Sequence, residues 1–262
     1  MPSLQSSPSH RYRTAPNENT ALSRLISPER LSTYSHEAST AGCNALDLYL
    51  WDQDLAAAAL ADIAILEVAL RNSMNEQLVA FAGRQDWYAV DIGLDDRSLN
   101  SIRRAWGDIP GAMRTPGRVV AQLMLGFWRD LLETGGKIDG KTPRQRNADY
   151  ETLWRNGMKN AFPGGRSLAR SRSEQFSRTW MLNVVQMVHA LRNRVSHHEP
   201  LINGVKMPGQ QGLRISIAEA HQACLFLARS LDRDLGRWFE RNSRMAPVIH
   251  LRPPVLSPEF MI

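Results

Sequence analysis

Leu60, Ile63, Leu66, Leu70, Met74 and Leu78 recur at three- and four-residue steps through the Ala-rich run from Asp54 to Phe81, and Gly83 follows. Side chains at i, i+3 and i+4 share one face of an α-helix, so the spacing predicts a helix with one face in a core. A glycine just past the last periodic residue supplies the stop. A stripe of this length must be covered, and the segments that can cover it also read as helices. Pro28 opens a short helix with Ser27 as its N-cap. Asp96–Ile109 is stopped by Pro110-Gly111, Val119–Glu133 by Gly135-Gly136, and Tyr150–Phe162 by Pro163-Gly164-Gly165. The longest helical signal runs from Ser167 to His198 with the stripe Met181, Val184, Val188, Leu191 and Val195. Ile217–Phe239 follows a Gly-containing turn. The polar, basic stretch Lys137–Asn147 reads as a loop, and no apolar–polar alternation is long enough for a convincing strand. The fold class is therefore all-α.

Residues 1–27 are rich in Ser, Pro, Asn and Thr and are expected to be a disordered tail. Pro247, Pro253, Pro254 and Pro258 make residues 246–262 a Pro-rich tail expected to lack a regular helix. The helical domain then spans residues 28–245. No window approaches the apolar length of a membrane span, and no secretory signal pattern is present, which gives the expectation of a cytoplasmic protein without a membrane partner. Cys43 and Cys224 offer neither a disulfide framework nor metal spacing. The net charge is +6, carried by 28 Arg and only 4 Lys. Arginine's planar fork suits phosphate, although a GC-rich genome writes the same bias.

The chemistry concentrates in Arg192-Asn193-Arg194-Val195-Ser196-His197-His198-Glu199-Pro200. Glu199, preceding a proline, is biased out of the helical region, so the helix should end at the two histidines. An Arg and a His five residues apart occur by chance roughly 0.7 times in a chain of this composition, but requiring Asn after the Arg lowers that to roughly 0.04. Asn193 and His197 lie i, i+4 on a face away from the apolar stripe, whereas Arg192 and His197 diverge by about 140° on an ideal helix. RNA carries its own nucleophile, the 2′-OH. A histidine can move its proton, and an arginine can stabilise charge on the phosphorane oxygens. One such set offers half an acid–base pair, and two sets across a two-fold axis would complete it, so a homodimer is expected. The blander reading makes Arg194 and His198 helix-end stabilisers favoured by the macrodipole. A metal site at His197-His198-Glu199 is disfavoured because adjacent helical residues point apart, and no cofactor is expected.

Leu70-Arg71-Asn72 echoes the motif without a following histidine, and Arg71 can simply pair with Glu67 one turn back. Arg166, Arg170, Arg172 and Arg178 can hold an RNA backbone or form a solvated face. His189 and His221 read as structural or surface histidines.

The motif resembles the Arg-x4–6-His signature of HEPN domains. More closely, it is similar to the Arg-Asn-Arg-x-x-His-His-Glu-Pro form of Abi-like (abortive infection, AbiD/AbiF-type) proteins. Leu66 to Asn72, Gly83 to Trp87, Leu125-Gly126-Phe127-Trp128 and Leu153 to Pro163 resemble that family in the same order. The resemblance implies a HEPN-like helical bundle with additional N-terminal helices, and a role in phage defense by cleavage of single-stranded RNA. A non-catalytic module that senses RNA or nucleotide is the alternative. Arg192 and His197 match the invariant pair of the signature and Asn193 its usual polar second residue, which gives these three as the catalytic candidates, and Arg194, His198, Arg71 and Arg178 are the substrate-binding candidates. The expected partners are RNA, a second copy of the chain, and an antitoxin or phage trigger. Ser196 stands where Ala is common in that family.

Overall fold

Thirty-eight residues, Ala45–Ala82, form the central helix α3 of the computed structural model, which describes residues 16–253. Asn44 caps its start by accepting from the Leu46 amide at 2.7 Å, and Gly83 ends it in the left-handed conformation. The helix therefore begins nine residues before Asp54, and at 1.5 Å per residue it reaches about 57 Å. Ile63, Leu66, Leu70, Met74 and Leu78 are buried, but Leu60 is 49% exposed and Ala59 takes the inward position. The early, Ala-rich turns are covered on several sides, by α2 (Pro28–Ala41), α12 (Met245–His250) and α10 (Ile217–Leu231), while α6 (Leu125–Asp130) and α9 (Arg178–Ser196) cover other parts of the spine.

The chain is all-α. Strand is confined, among the described residues, to two short antiparallel hairpins, β1–β2 (Lys137–Ile138 with Arg146–Asn147) and β3–β4 (Val205–Lys206 with Arg214–Ile215). The first falls in the stretch expected to be a loop. Its Asp139 and Gly140 amides donate to the Asp96 carboxylate at the start of α4 (Asp96–Gly107), which holds the turn in place.

Both tail boundaries need correction. Residues 16–26 form α1 (Pro16–Ile26), which packs on α2, so only residues 1–15 of the expected disordered tail lie outside the described part. Met245–His250 is helical despite Pro247, because a proline in the first turn removes an amide with no helical partner. This helix is anchored by the Trp51 indole, which donates to the Val248 carbonyl at 2.8 Å. The remainder of the Pro-rich stretch, 254–262, lies outside the described residues.

Four expected single helices are broken. Val119–Glu133 divides into α5 (Pro116–Gln122) and α6, and the side chains that satisfy the break come from α3. Glu67 accepts from the Leu125 amide at 2.8 Å, and Arg71 donates to the Ala121 carbonyl at 3.1 Å. Tyr150–Phe162 becomes α7 (Tyr150–Asn156) and a 3-10 turn, Met158–Ala161, interrupted at Gly157. Ser167–His198 becomes α8 (Gly165–Ser171) and α9, with Ser177 capping α9 through the Trp180 amide. Ile217–Phe239 becomes α10 and α11 (Arg233–Asn242), because Asp232 turns out of the helix to accept from the amides of Asp234 and Leu235. No described helix is long and apolar enough to cross a membrane.

Candidate active site

α9 buries Met181, Val184, Val188, Leu191 and Val195 and ends at Ser196, one residue before the histidine pair. His197 is its C-cap, donating its amide to the Asn193 carbonyl at 3.0 Å, and His198 adopts the left-handed conformation at φ 53°. That residue reverses the chain, and its backbone is held by α2: the Arg30 guanidinium donates to the His198 carbonyl. Three residues further, the Leu201 amide donates to the buried Asp52 carboxylate of α3, which also accepts from the Tyr34 hydroxyl at 2.8 Å. Burial pushes the Asp52 carboxyl above its usual range, against these donors. It pushes the Tyr34 phenol upward as well.

The motif's polar side chains divide into two groups. Arg194 is consumed by the turn: its Nε donates to the Pro200 carbonyl at 2.6 Å and one terminal nitrogen meets Glu199 at 3.0 Å. Only 12% of its side chain is exposed, and burial lowers its pKa. Arg192, Asn193, His197 and His198, in contrast, make no side-chain hydrogen bond or ion pair among the described residues. Asn193 and His197 line a cleft of about 540 Å³ whose opposite wall is the β3–β4 hairpin. Its volume falls within the roughly 300–1,000 Å³ typical of ligand pockets. Arg192 does not line this cleft. It faces the flank where the Arg129 guanidinium approaches His189 Nδ1 at 3.3 Å. A single chain thus joins Asn193 to His197 and keeps Arg192 apart from them.

The other candidates serve the scaffold. Arg178 is buried, with its Nε on Glu151 at 3.0 Å and another nitrogen on the Leu132 carbonyl, so it is not available to an RNA backbone. Arg71 holds the α5–α6 break in place of the pairing expected with Glu67. Arg172 pairs with Glu174 and lies over the Phe226 ring, leaving Arg166 and Arg170 exposed on α8. His221 shares a hydrogen bond with Ser243 Oγ at 2.9 Å. No group of three or more metal-ligating side chains occurs among the described residues, and burial pushes the Cys224 thiol up to about 12. The hairpin wall, including Lys206, Gln210 and Gln211, was missed from sequence, although Pro208-Gly209 and Gly212 between apolar flanks are turn signals. No family model, curated protein or solved structure matches the chain.

Burial, reinforced by the charges of Arg129 and Arg192, lowers the His189 pKa from 6.5 to about 4. Between those values the unfolded chain binds a proton that the folded chain does not, so this contribution to stability is full above pH 6.5 and is lost as the pH falls toward 4. Urea unfolding at pH 7 and pH 5 should show the wild type losing stability relative to His189→Gln. Parallel pH dependence of the two would contradict the assignment.

Proposed function

We propose that the protein is a metal-independent endoribonuclease of the HEPN type, acting in the cytoplasm on single-stranded RNA in phage defense or as a toxin. The observation that carries this reading is the pairing of Asn193 and His197, whose side chains have no hydrogen-bond partner among the described residues, on one cleft at the end of α9. The substrate 2′-OH attacks the adjacent phosphorus and the P–O5′ bond breaks. The products are a 2′,3′-cyclic phosphate and a 5′-hydroxyl. His197 either accepts the 2′-OH proton or protonates the leaving 5′-oxygen, and Asn193 hydrogen-bonds the phosphate or orients the imidazole. RNA supplies the nucleophile, so this chemistry does not require a metal. Arg192 of the same chain faces away from the cleft, and in this reading a second copy brings its own Arg192 and His197 to complete the charge stabilisation and the acid–base pair. An antitoxin or a phage-derived trigger would control such an activity.

Incubating the purified protein with labelled single-stranded RNA in EDTA tests the proposal. Cleavage leaving cyclic phosphate ends is expected, with a loss of about 10²–10⁴-fold in His197→Ala and a large loss in Arg192→Ala. Mixing the two inactive variants should restore part of the activity if the site is shared between copies. Intact RNA under these conditions would refute the nuclease. Binding that survives without cleavage would favour the second reading, a non-catalytic module that senses RNA or nucleotide, which the separation of Arg192 from His197 within one chain supports.

A further inference from the structure

The hairpin facing His197 carries a cation outside the motif. Lys206 is exposed on β3 and lines the same cleft as Asn193 and His197, and its ammonium makes no hydrogen bond or ion pair among the described residues. The strand register sets it directly opposite Arg214, also on the exposed side, and like charges facing across a ladder repel. Arg214 turns its guanidinium to the carbonyls of Asn203 and Gly204 at 3.3 and 3.4 Å, so its polar contacts lie within the scaffold. Lys206 therefore faces the cleft with a like charge across the ladder, while the carboxylate that shares the cleft, Glu199, is paired with Arg194. Its wall is fixed, because Gln186 of α9 donates to the Pro208 carbonyl at 3.1 Å and Val205 and Met207 are buried beside it. The Gln210 and Gln211 side chains on the same wall can both donate and accept, which suits base edges.

We propose that Lys206 is the phosphate anchor of this cleft. Its ammonium holds a phosphodiester of single-stranded RNA beside Asn193 and His197 of the same protomer, a place that protomer's Arg192 does not reach. The inference rests on reading the cleft as an RNA site. The probe is a single-stranded RNA oligonucleotide with 2′-O-methyl groups throughout, which lacks the nucleophile and cannot be cut. Its binding is followed by fluorescence anisotropy across a salt series for the wild type and for Lys206→Ala, Lys206→Glu and Lys206→Arg. Lys141→Glu, on the β1–β2 hairpin, is the charge-matched control.

Lys206→Ala should raise Kd about tenfold and flatten the salt slope by about one, Lys206→Glu should raise Kd further, and Lys206→Arg should restore binding. With cleavable RNA, KM should follow Kd while kcat changes less than about twofold. If Lys206→Glu binds like the wild type or like Lys141→Glu, the anchor is overturned even where cleavage is intact. If the wild type does not cleave RNA but binding depends on Lys206, the nuclease reading fails and the anchor stands. A wild type that does not bind the oligonucleotide overturns the anchor.

Discussion

Gly164→Ala should destabilise the protein by about 3 kcal/mol or more, lowering Tm by roughly 6–12 °C. A Cβ at Gly164 would lie 2.0 Å from the Arg229 carbonyl oxygen and 3.1 Å from its carbon. The obstruction is backbone on α10, which cannot swing aside as a side chain does. The same approach is used productively, since the Gly164 amide donates to the Ser230 carbonyl at 3.0 Å. The backbone at Gly164 has φ −79°, so the penalty comes from contact and not from a forbidden dihedral. Gly165→Ala should cost less, because its Cβ would meet the ring of Phe176, a side chain that can move. Gly107→Ala, at the end of α4 with nothing within 4 Å, should be neutral or stabilising by about 0.5–1 kcal/mol. Urea midpoints with unchanged m-values for the three variants decide the matter, and a wild-type midpoint for Gly164→Ala would rule out the close packing of α8 under α10.

Asp52→Ala should cost about 2–5 kcal/mol, because it strands two interior donors at about 1–3 kcal/mol each. The Tyr34 hydroxyl loses its acceptor at 2.8 Å, and the Leu201 amide loses both carboxylate oxygens, at 3.0 and 3.2 Å. Asp52→Asn keeps one carbonyl acceptor and should cost less than half as much. The consequence reaches the site, because Leu201 anchors the chain just after the His198 reversal. Amide exchange at Leu201 should accelerate in Asp52→Ala more than exchange in the middle of α9. Equal acceleration everywhere would show only global loss of stability, and unchanged melting would show that water replaces the carboxylate.

The helical stripes were legible because burial follows local periodicity. Ile63 through Leu78 and Met181 through Val195 point inward as their spacing requires. The breaks were not legible. The periodic pattern continues across Leu123-Met124 and Asp232, and at the first of these the side chains that make an interruption affordable, Glu67 and Arg71, lie on another helix more than fifty residues away. Pro163-Gly164-Gly165 is legible as the stop of the preceding helix, but the α10 backbone packed against Gly164 is not. The N-terminal helix α1 was hidden by a polar composition that resembles disorder.

At the candidate site the sequence determined the residue types and their angular placement on α9. Asn193 and His197 share a face, and Arg192 points elsewhere, as 100° per residue dictates. Only the tertiary structure decided which cations are spoken for. Arg178 is taken by Glu151, Arg71 by the Ala121 carbonyl and Arg194 by the turn it stabilises, while Lys206 is brought in from a separate hairpin. The physical reason is reach. Helical periodicity is set by bonds within one turn, whereas a long charged side chain finds its partner wherever folding delivers one, as Arg30 does at the His198 carbonyl, 168 residues along the chain.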